Sequence, residues 1–187
     1  MRRIITPAND HFIELDFNGA EARVMMGMLG QEQPDVDIHD FHRSAVFGSR
    51  ISRDEAKTSF FAWLYGSSAA EQSREGKLLK TYYNKDAILD EFWDGKSVYT
   101  PLGKKIEKVD EHHALNYIVQ STTAELTLLQ ALKINHLLER ANARSRISLL
   151  IHDAIVLDYA KEDEPYLPQI KKLMSSTKFG NFKINIS

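Results

Sequence analysis

Four side chains at a regular spacing between residues 53 and 66 constrain this chain more than any other feature of its sequence. Arg53, Lys57, Phe61 and Tyr65 recur every fourth residue, so on a helix they share one face. The other apolar residues of the segment fall on a different side, which is expected to pack against a core. The sequence therefore predicts an amphipathic helix whose cations and aromatic rings form one stripe, about 18 Å long at about 1.5 Å per residue.

The stripe has the chemistry to bind a nucleoside triphosphate along the helix. Guanidinium and ammonium groups suit phosphate oxygens, and the amino end of a helix adds partial positive charge. The aromatic rings at the other end would face the base. The alternative is a helix with two solvated cations and with aromatic residues at the margin of a core.

The composition is that of one soluble globular domain or two small lobes. The 187 residues are 43% hydrophobic and 27% charged, which excludes a disordered chain. There is no cysteine, so disulfides and thiolate metal sites are excluded and a reducing compartment is expected. No apolar run approaches the roughly 20 residues of a membrane helix, and the start lacks a signal-peptide pattern. The net charge of −2 requires that any nucleic-acid surface be local or supplied by a partner.

A first aspartate ends a predicted strand. Residues 12–17 alternate between apolar and polar side chains, and Asp16 comes near the end of this pattern. Asn18 with Glu21 three residues later is typical of a capping box and predicts a helix that extends to about Leu29. Asp16 therefore lies beside a strand-to-helix turn, where a catalytic or metal-binding carboxylate, a helix cap and a surface acid are all compatible with the pattern.

A second aspartate lies in a predicted β-hairpin. Two apolar runs, 149–151 and 154–157, flank His152 and Asp153. His-Asp is unfavourable in a two-residue turn, which needs positive φ, and local rules tend to fail where function intervenes. If the two aspartate-bearing strands are neighbours, Asp16 and Asp153 would hold two Mg²⁺ ions about 4 Å apart, the arrangement for in-line phosphoryl transfer.

Two helical segments carry further polar pairs. His39 and His42, in a helix capped by Asp37, have a spacing that suits a metal pair but is more typical of surface residues. The longest helical pattern, from about residue 110 to 142, places Asn116 and Gln120 on one face. These amides would either donate to minor-groove acceptors of DNA or bond to the protein itself.

Several motifs, in family order, resemble the family A DNA polymerases, the group of bacterial DNA polymerase I and many phage replicases. The first metal motif of the family resembles the segment from Leu15, L-D-F-N-G-A-E-A-R. The fingers helix resembles the segment from Arg53, R-D-E-A-K-T-S-F-F-A-W-L-Y-G. The motif of the second metal aspartate resembles I-H-D-A from Ile151. The resemblance extends from about Arg3 to the last predicted strand. Lesser matches are D-I-H from Asp37, T-P-L-G-K-K from Thr100 and N-Y-I-V-Q-S-T-T-A-E-L from Asn116.

This resemblance implies an α+β fold, with an antiparallel polymerase palm sheet and helical fingers, and without thumb and exonuclease domains. Residues 1–36 would form palm with the first metal motif, 37–96 the fingers, and 97–187 the remaining palm with the long helix, the second metal hairpin and the last strand. The implied activity is DNA-templated transfer of a nucleotide from a dNTP to a primer 3′-hydroxyl with two Mg²⁺ ions.

The resemblance also implies roles for individual residues. Glu21 would contact Tyr65 and crowd the 2′ position, so that a 2′-hydroxyl is excluded. Lys57 would be catalytic as a proton donor to the leaving pyrophosphate. The two metal ions would be bound by Asp16, Asp153 and the carbonyl of Phe17. The nucleotide would be bound by Glu21, His39, Arg53, Lys57, Phe61 and Tyr65. Primer-template DNA would be contacted by Arg23, Asn116, Gln120 and His152.

Three positions depart from the family pattern. Ala154 replaces the usual Glu, His112 stands where Arg is usual, and Gly19 stands where bacterial members have Gln. Since both aspartates remain, reduced or retained activity is expected. The chain resembles the C-terminal piece of a split or truncated polymerase, so a second polymerase chain with the thumb and upstream palm is an expected partner, in the cytoplasm of a bacterium or phage-infected cell and without a membrane.

Two other functions are compatible with these residues. A degenerate, non-catalytic subunit that binds DNA or a partner is favoured by the replacement of the family Glu. A two-metal nuclease would share the carboxylates but gives no reason for the cationic and aromatic stripe.

Overall fold

The computed structural model describes residues 5–187, which form helices and small antiparallel sheets. The expected α+β class is confirmed. Contacts divide the described chain into one unit of residues 5–18 and 124–187 and another of residues 19–123. The palm and fingers segments expected from the resemblance have other boundaries and stay a prediction.

A run of helices from residue 20 to residue 92 follows the first strand, and the remaining strands come later in the chain in groups separated by helices. The helices are α1 (Ala20–Met28), α2 (Ile38–Phe41), α3 (Arg53–Leu64), α4 (Ser68–Gln72), α5 (Arg74–Tyr82), α6 (Lys85–Phe92), α7 (Glu111–Arg140) and α8 (Leu167–Ser175). A π-helical turn (His42–Val46) follows α2, and a 3-10 helix (Lys161–Tyr166) precedes α8. The strands are β1 (His11–Phe17), β2 (Ser97–Tyr99), β3 (Lys105–Glu107), β4 (Arg146–Ile151), β5 (Ala154–Tyr159), β6 (Ser176–Thr177), β7 (Gly180–Asn181) and β8 (Ile184–Ile186).

A four-stranded sheet organises the first unit, in the order β4-β5-β1-β8. Every neighbouring pair in this sheet is antiparallel. The alternation along β1 buries Ile13, Leu15 and Phe17, as the period-2 pattern predicts, and leaves Glu14 and Asp16 half-buried on the opposite face. The predicted strand and its two faces are thus confirmed.

Helix α8 packs beside this sheet and is held at its carboxyl end by one buried side chain. Gln130 of α7 donates through Nε2 to the carbonyl oxygens of Leu173, Met174 and Ser176, at 2.5, 3.2 and 2.8 Å. The last carbonyls of a helix have no partner within it, so a buried amide donor stabilises this end.

An aromatic core organises the second unit. Phe60 and Trp63 of α3 are buried with Tyr83, which follows α5. The ring of Trp63 stacks on that of Tyr83 at 5.9 Å, and His42 stacks on Phe60 at 5.0 Å. These contacts join α3 and α5 to the π-helical turn, because aromatic rings bury large areas in specific geometries.

Single residues set two helix boundaries. Helices α4 and α5 are separate because Ser73 is extended and caps α5 by accepting from the backbone N–H of Gly76. The capping box predicted for Asn18 and Glu21 is wrong. Gly19 occupies the N-cap position of α1 with φ of 67°, and this cap has no side-chain hydrogen bond.

No helix within residues 5–187 is both long enough and apolar enough to span a membrane.

Candidate active site

The two aspartate motifs lie side by side in the sheet of the first unit. Strand β1 pairs with β5, and the register sets Asp16 opposite Ala154, the residue that follows Asp153. Directly opposed antiparallel residues have Cβ atoms about 5 Å apart on the same face. Asn185 of β8 opposes Asp16 on its other side and donates Nδ2 to its Oδ2 at 3.3 Å. The neighbouring strands that the sequence analysis required for the two aspartates are therefore present.

The tip of the β4–β5 hairpin has an unusual backbone. Ile151 pairs with Ala154, so His152 and Asp153 form a two-residue turn. His152 has φ of 55°, in the left-handed region that non-glycine residues rarely adopt. The misfit of His-Asp to a tight turn is thus realised as backbone strain beside the carboxylate, and such strain clusters at functional sites.

The donors near this turn suit a hard cation. The carboxylates of Asp16 and Asp153 and the backbone carbonyl of Phe17 are oxygen ligands of the kind that Mg²⁺ binds while it keeps water and phosphate ligands. Among residues 5–187 there is no group of three or more His, Cys, Asp and Glu side chains that could hold a metal ion. A site at the turn would therefore depend on two carboxylates with carbonyl, water and substrate oxygens.

The predicted stripe helix is present in the second unit. Ser52 caps α3 and forms a reciprocal capping box with Glu55, which explains why the helix begins here. The predicted apolar side of α3 is buried. Lys57 and Tyr65 are exposed, and the ring of Phe61 stacks on that of Tyr65 at 5.6 Å. The expected amphipathic helix with an outward stripe is confirmed, whereas its role in binding a nucleotide stays a prediction.

Arg53 at the start of the stripe is held by a carboxylate. Its Nε and Nη2 donate to the two oxygens of Asp37 at 3.0 and 2.7 Å, and Nη1 contacts Asp54 at 3.3 Å. The hydrogen bond with Asp37 raises the pKa of Arg53 above its usual value. The sequence predicts Asp37 as a helix cap, which is confirmed, but the ion pair has no local signal in the sequence.

His39 and His42 are buried and neutral. Burial lowers the pKa of His39 to about 4, with further lowering by the nearby Arg53, and it lowers the pKa of His42 to about 3. His42 Nε2 lies 2.5 Å from the hydroxyl of Tyr83. Within the described residues, the Nδ1 atoms of both histidines are buried without a hydrogen-bond partner. The expectation that two such histidines are polar surface residues is therefore wrong.

Close packing explains why the residue that precedes α1 is the glycine Gly19. A Cβ on this residue would lie 2.2 Å from Cγ2 of Ile38 and 3.8 Å from Nε2 of His39. Only a residue without a side chain permits this approach together with a φ of 67°. The glycine at this position, a departure from the bacterial pattern, thus lets the start of α1 pack against the helix that carries His39.

Arg23 is bonded to the protein itself. Its side chain is fully buried, and its Nη1 and Nη2 donate to the carbonyls of Pro34 and Val36 at 2.8 Å each. Burial lowers its pKa to about 10. In this position Arg23 holds the loop that leads to Asp37, and its contact with primer-template DNA stays a prediction.

The amide pair of α7 is not a mutually satisfied buried pair. Asn116 is half-buried, with an Oδ1 that has no hydrogen-bond partner in the described part of the chain, and Gln120 is exposed. His112, one turn before Asn116, lies against Gly66, where an added Cβ would meet its imidazole at 3.0 Å. The exposed amide of Gln120 is therefore the group of this pair that an external partner can reach.

The mixed helical and antiparallel fold matches that of a solved polymerase domain. The structure matches the POL domain of Pol1 from M. smegmatis, solved in complex with a DNA primer-template and dNTP, with a TM-score of 0.75 over 98% of this chain and 40% of that chain. At 17% sequence identity this match shows the fold.

Curated relatives extend the match to sequence. DNA polymerase I of Caldicellulosiruptor bescii is 22% identical over 92% of this chain and 25% of its own length. DNA polymerase I of Chloroflexus aurantiacus is 24% identical over 94% of this chain and 23% of its own length. The DNA polymerase of Mycobacterium phage D29 is 26% identical over 79% of this chain and 28% of its own length. No protein-family model matches the chain.

These relatives confirm the resemblance to family A DNA polymerases over most of the chain. The chain spans about a quarter of the length of these curated relatives, 25%, 23% and 28% in turn.

Proposed function

We propose that this chain is the catalytic part of a DNA-templated DNA polymerase. The proposal is carried by the pairing of β1 with β5, which brings the strand ends of the two metal motifs to the same place in one sheet. The outward stripe on α3 supports it, because a nuclease would not need that stripe. Residues 1–36 and 97–187 would act as palm, and residues 37–96 as fingers.

The carboxylates of Asp16 and Asp153, with the Phe17 carbonyl, would hold the two Mg²⁺ ions. When bound, these ions supply charge neutralisation for the transferring phosphate and its attacking and leaving oxygens. Asp16 is kept in place by the hydrogen bond from Asn185, and Asp153 by the hairpin turn.

The cationic and aromatic stripe would bind the incoming dNTP. Arg53 and Lys57 orient the triphosphate, with His39 as a neutral hydrogen-bonding group, while Phe61 packs near the sugar and Tyr65 near the base. The 3′-hydroxyl oxygen of the primer forms a bond to the α-phosphorus, and the bond from that phosphorus to the pyrophosphate oxygen breaks. The hydroxyl proton leaves to solvent, and Lys57 donates a proton to the pyrophosphate.

Four other residues would complete the recognition of nucleotide and DNA. Glu21 would exclude ribonucleotides, and Asn116 and Gln120 would contact the primer-template from α7, with His152 at the hairpin tip. We further propose that a second chain supplies the thumb and upstream palm, since the net charge of −2 is low for a protein that grips duplex phosphates alone. A protein with this function would act in the cytoplasm of a bacterium or phage-infected cell.

Primer extension tests this function. The chain is incubated with a primed template, Mg²⁺ and four dNTPs, alone and with a thumb-bearing polymerase fragment, and Asp153→Asn serves as the control. Extension that is lost in the control supports the proposal and shows whether the partner is required. Degradation of the primer without added dNTP would instead support a nuclease.

A non-catalytic binding subunit is a second candidate because one observation favours it. The position opposite Asp16 is Ala154, so a carboxylate usual in family A is missing at this point of the sheet. DNA binding without extension under both conditions would favour this candidate.

A further inference from the structure

Asp37 connects two parts of the surface proposed for the nucleotide. Its carboxylate accepts the backbone N–H groups of His39 and Asp40 at 3.0 and 3.1 Å, and so caps α2. The same carboxylate accepts two hydrogen bonds from Arg53 of α3. One side chain thus ties the helix that carries His39 to the amino end of the stripe.

The geometry of this ion pair leaves part of Arg53 available. A guanidinium has five N–H donors in a planar fork, and a carboxylate that binds both Nε and Nη2 occupies one edge. The contact of Nη1 with Asp54 is 3.3 Å long, and the Asp54 side chain is 91% exposed, so water competes for it. The edge formed by Nη1 and Nη2 is therefore the one that a phosphate would use.

The Asp37 carboxylate is expected to keep its hydrogen bonds to Arg53 when a phosphate binds. Its side chain is only 21% exposed, against 41% for Arg53, and four N–H donors share its two oxygens. A long, flexible arginine side chain loses less entropy on binding when a partner already holds it.

We propose that Asp37 is the positioning residue for Arg53, holding one edge of the guanidinium so that the other edge faces the triphosphate of the incoming nucleotide. This inference rests on the proposed function. It adds Asp37 to the proposed nucleotide site, in which the motif resemblance gave roles to Arg53 and His39. Asp37 does not touch the nucleotide in this scheme. It acts by fixing the direction of the arginine and the start of α2.

Asp37→Asn is the informative variant. Asparagine is as good a helix cap as aspartate, so α2 is retained while the charge and one acceptor for Arg53 are lost. We expect the affinity for the Mg²⁺ complex of a non-hydrolysable dNTP, measured by titration calorimetry on the full chain, to fall about tenfold. Arg53→Ala should cause a similar loss, and the double variant should be no worse than Arg53→Ala alone.

Matched controls separate positioning from folding. Asp40→Asn removes a neighbouring carboxylate whose ion pair, among residues 5–187, is with half-buried Arg43, and it should change the affinity less than about twofold. Asp37→Glu should restore part of the lost affinity. Tighter binding by Asp37→Asn would overturn the proposal, because it would show that Asp37 competes with the phosphate.

A second measurement does not need the nucleotide. In NMR spectra of ¹⁵N-arginine-labelled protein, the Nε–H of Arg53 should be ordered in the wild type and become mobile in Asp37→Asn, but not in Asp40→Asn. An unchanged Arg53 signal in Asp37→Asn overturns the inference. If wild type binds no nucleotide while Arg53 still depends on Asp37, the proposed function fails and the positioning contact stands.

Discussion

Asp16 of β1 lies opposite Ala154 of β5 in the antiparallel register of the sheet. Both side chains lie on the same face, and Ala154 is nearly fully buried, with 4% of its surface exposed. A carboxylate at position 154 would therefore be a cross-strand neighbour of Asp16 and a chain neighbour of Asp153.

The change Ala154→Glu should make folding depend on Mg²⁺. Like charges on adjacent strands repel, so without Mg²⁺ we expect the free energy of unfolding to fall by about 1 kcal/mol or more. Added Mg²⁺ should recover part of this loss if the site binds the ion. Urea unfolding with and without Mg²⁺ measures the effect. The isosteric Ala154→Gln is the control, and an equal response of both variants to Mg²⁺ would argue against a cation site here.

Phe61 is predicted to set the preference for the sugar of the nucleotide. Its ring is half-buried and stacks on Tyr65, so it presents an apolar edge without a hydroxyl. Under the proposed function, we expect the chain to discriminate against dideoxynucleotides, and Phe61→Tyr to weaken this discrimination by placing a hydroxyl near the triphosphate. Competitive incorporation of the two nucleotide types measures the ratio. Equal use of both by the wild-type protein would contradict the assignment.

Glu21 is predicted to exclude ribonucleotides. Because Gly19 begins α1 without a side-chain cap, the capping role that the sequence pattern indicated for Glu21 does not apply. Glu21→Ala should lower the polymerisation rate and raise the ratio of ribonucleotide to deoxynucleotide incorporation. Glu32→Ala, which removes a carboxylate outside the proposed site, provides the comparison. Unchanged rate and selectivity in Glu21→Ala would remove this residue from the site.

The buried histidines should make stability fall with acid. Below about pH 6.5 the unfolded chain gains protons on these imidazoles, while in the folded protein His39 and His42 stay neutral down to pKa values of about 4 and 3. The contribution of the two neutral histidines to the free energy of unfolding is therefore full above about pH 6.5. Below that pH the free energy of unfolding declines by up to about 1.4 kcal/mol per pH unit for each histidine.

Chemical unfolding at pH 7 and pH 5 tests this decline. His42→Gln should reduce the pH dependence of the free energy of unfolding, because one of the two depressed groups is removed. His136→Gln, at an exposed histidine of α7, is the matched surface variant. If the free energy of unfolding of the two variants depended equally on pH, the burial of His42 would not control the pH dependence of stability.

The sequence was informative where structure depends on neighbouring residues. The alternation in β1, the spacing of the stripe on α3 and the cap supplied by Asp37 were all predicted and are observed. Each depends on a period or on a hydrogen bond between residues a few positions apart, so the local sequence contains the required information. The unfavourable turn at His152 was a local signal of the same kind.

Local patterns misled the prediction where packing decides. The residue that caps α1 is Gly19 and not Asn18. Ile38 leaves no space for a Cβ at this position, and the φ of Gly19, 67°, lies in the left-handed region. The guanidinium of Arg23 donates to the carbonyls of Pro34 and Val36, a contact that its motif position did not indicate. Neither contact is visible in a sequence pattern, because the partner lies outside the same helix.

The sequence by itself determined which residues the site is made from, and the tertiary structure decided which of them meet. It located Asp16, Asp153 and Arg53 at the ends of their elements, but the register of β1 on β5 and the bond of Arg53 to Asp37 come from the folded chain. Periodicity and capping arise from interactions between near neighbours. Strand register and ion-pair partners are chosen by burial of the core, which depends on the whole fold at once.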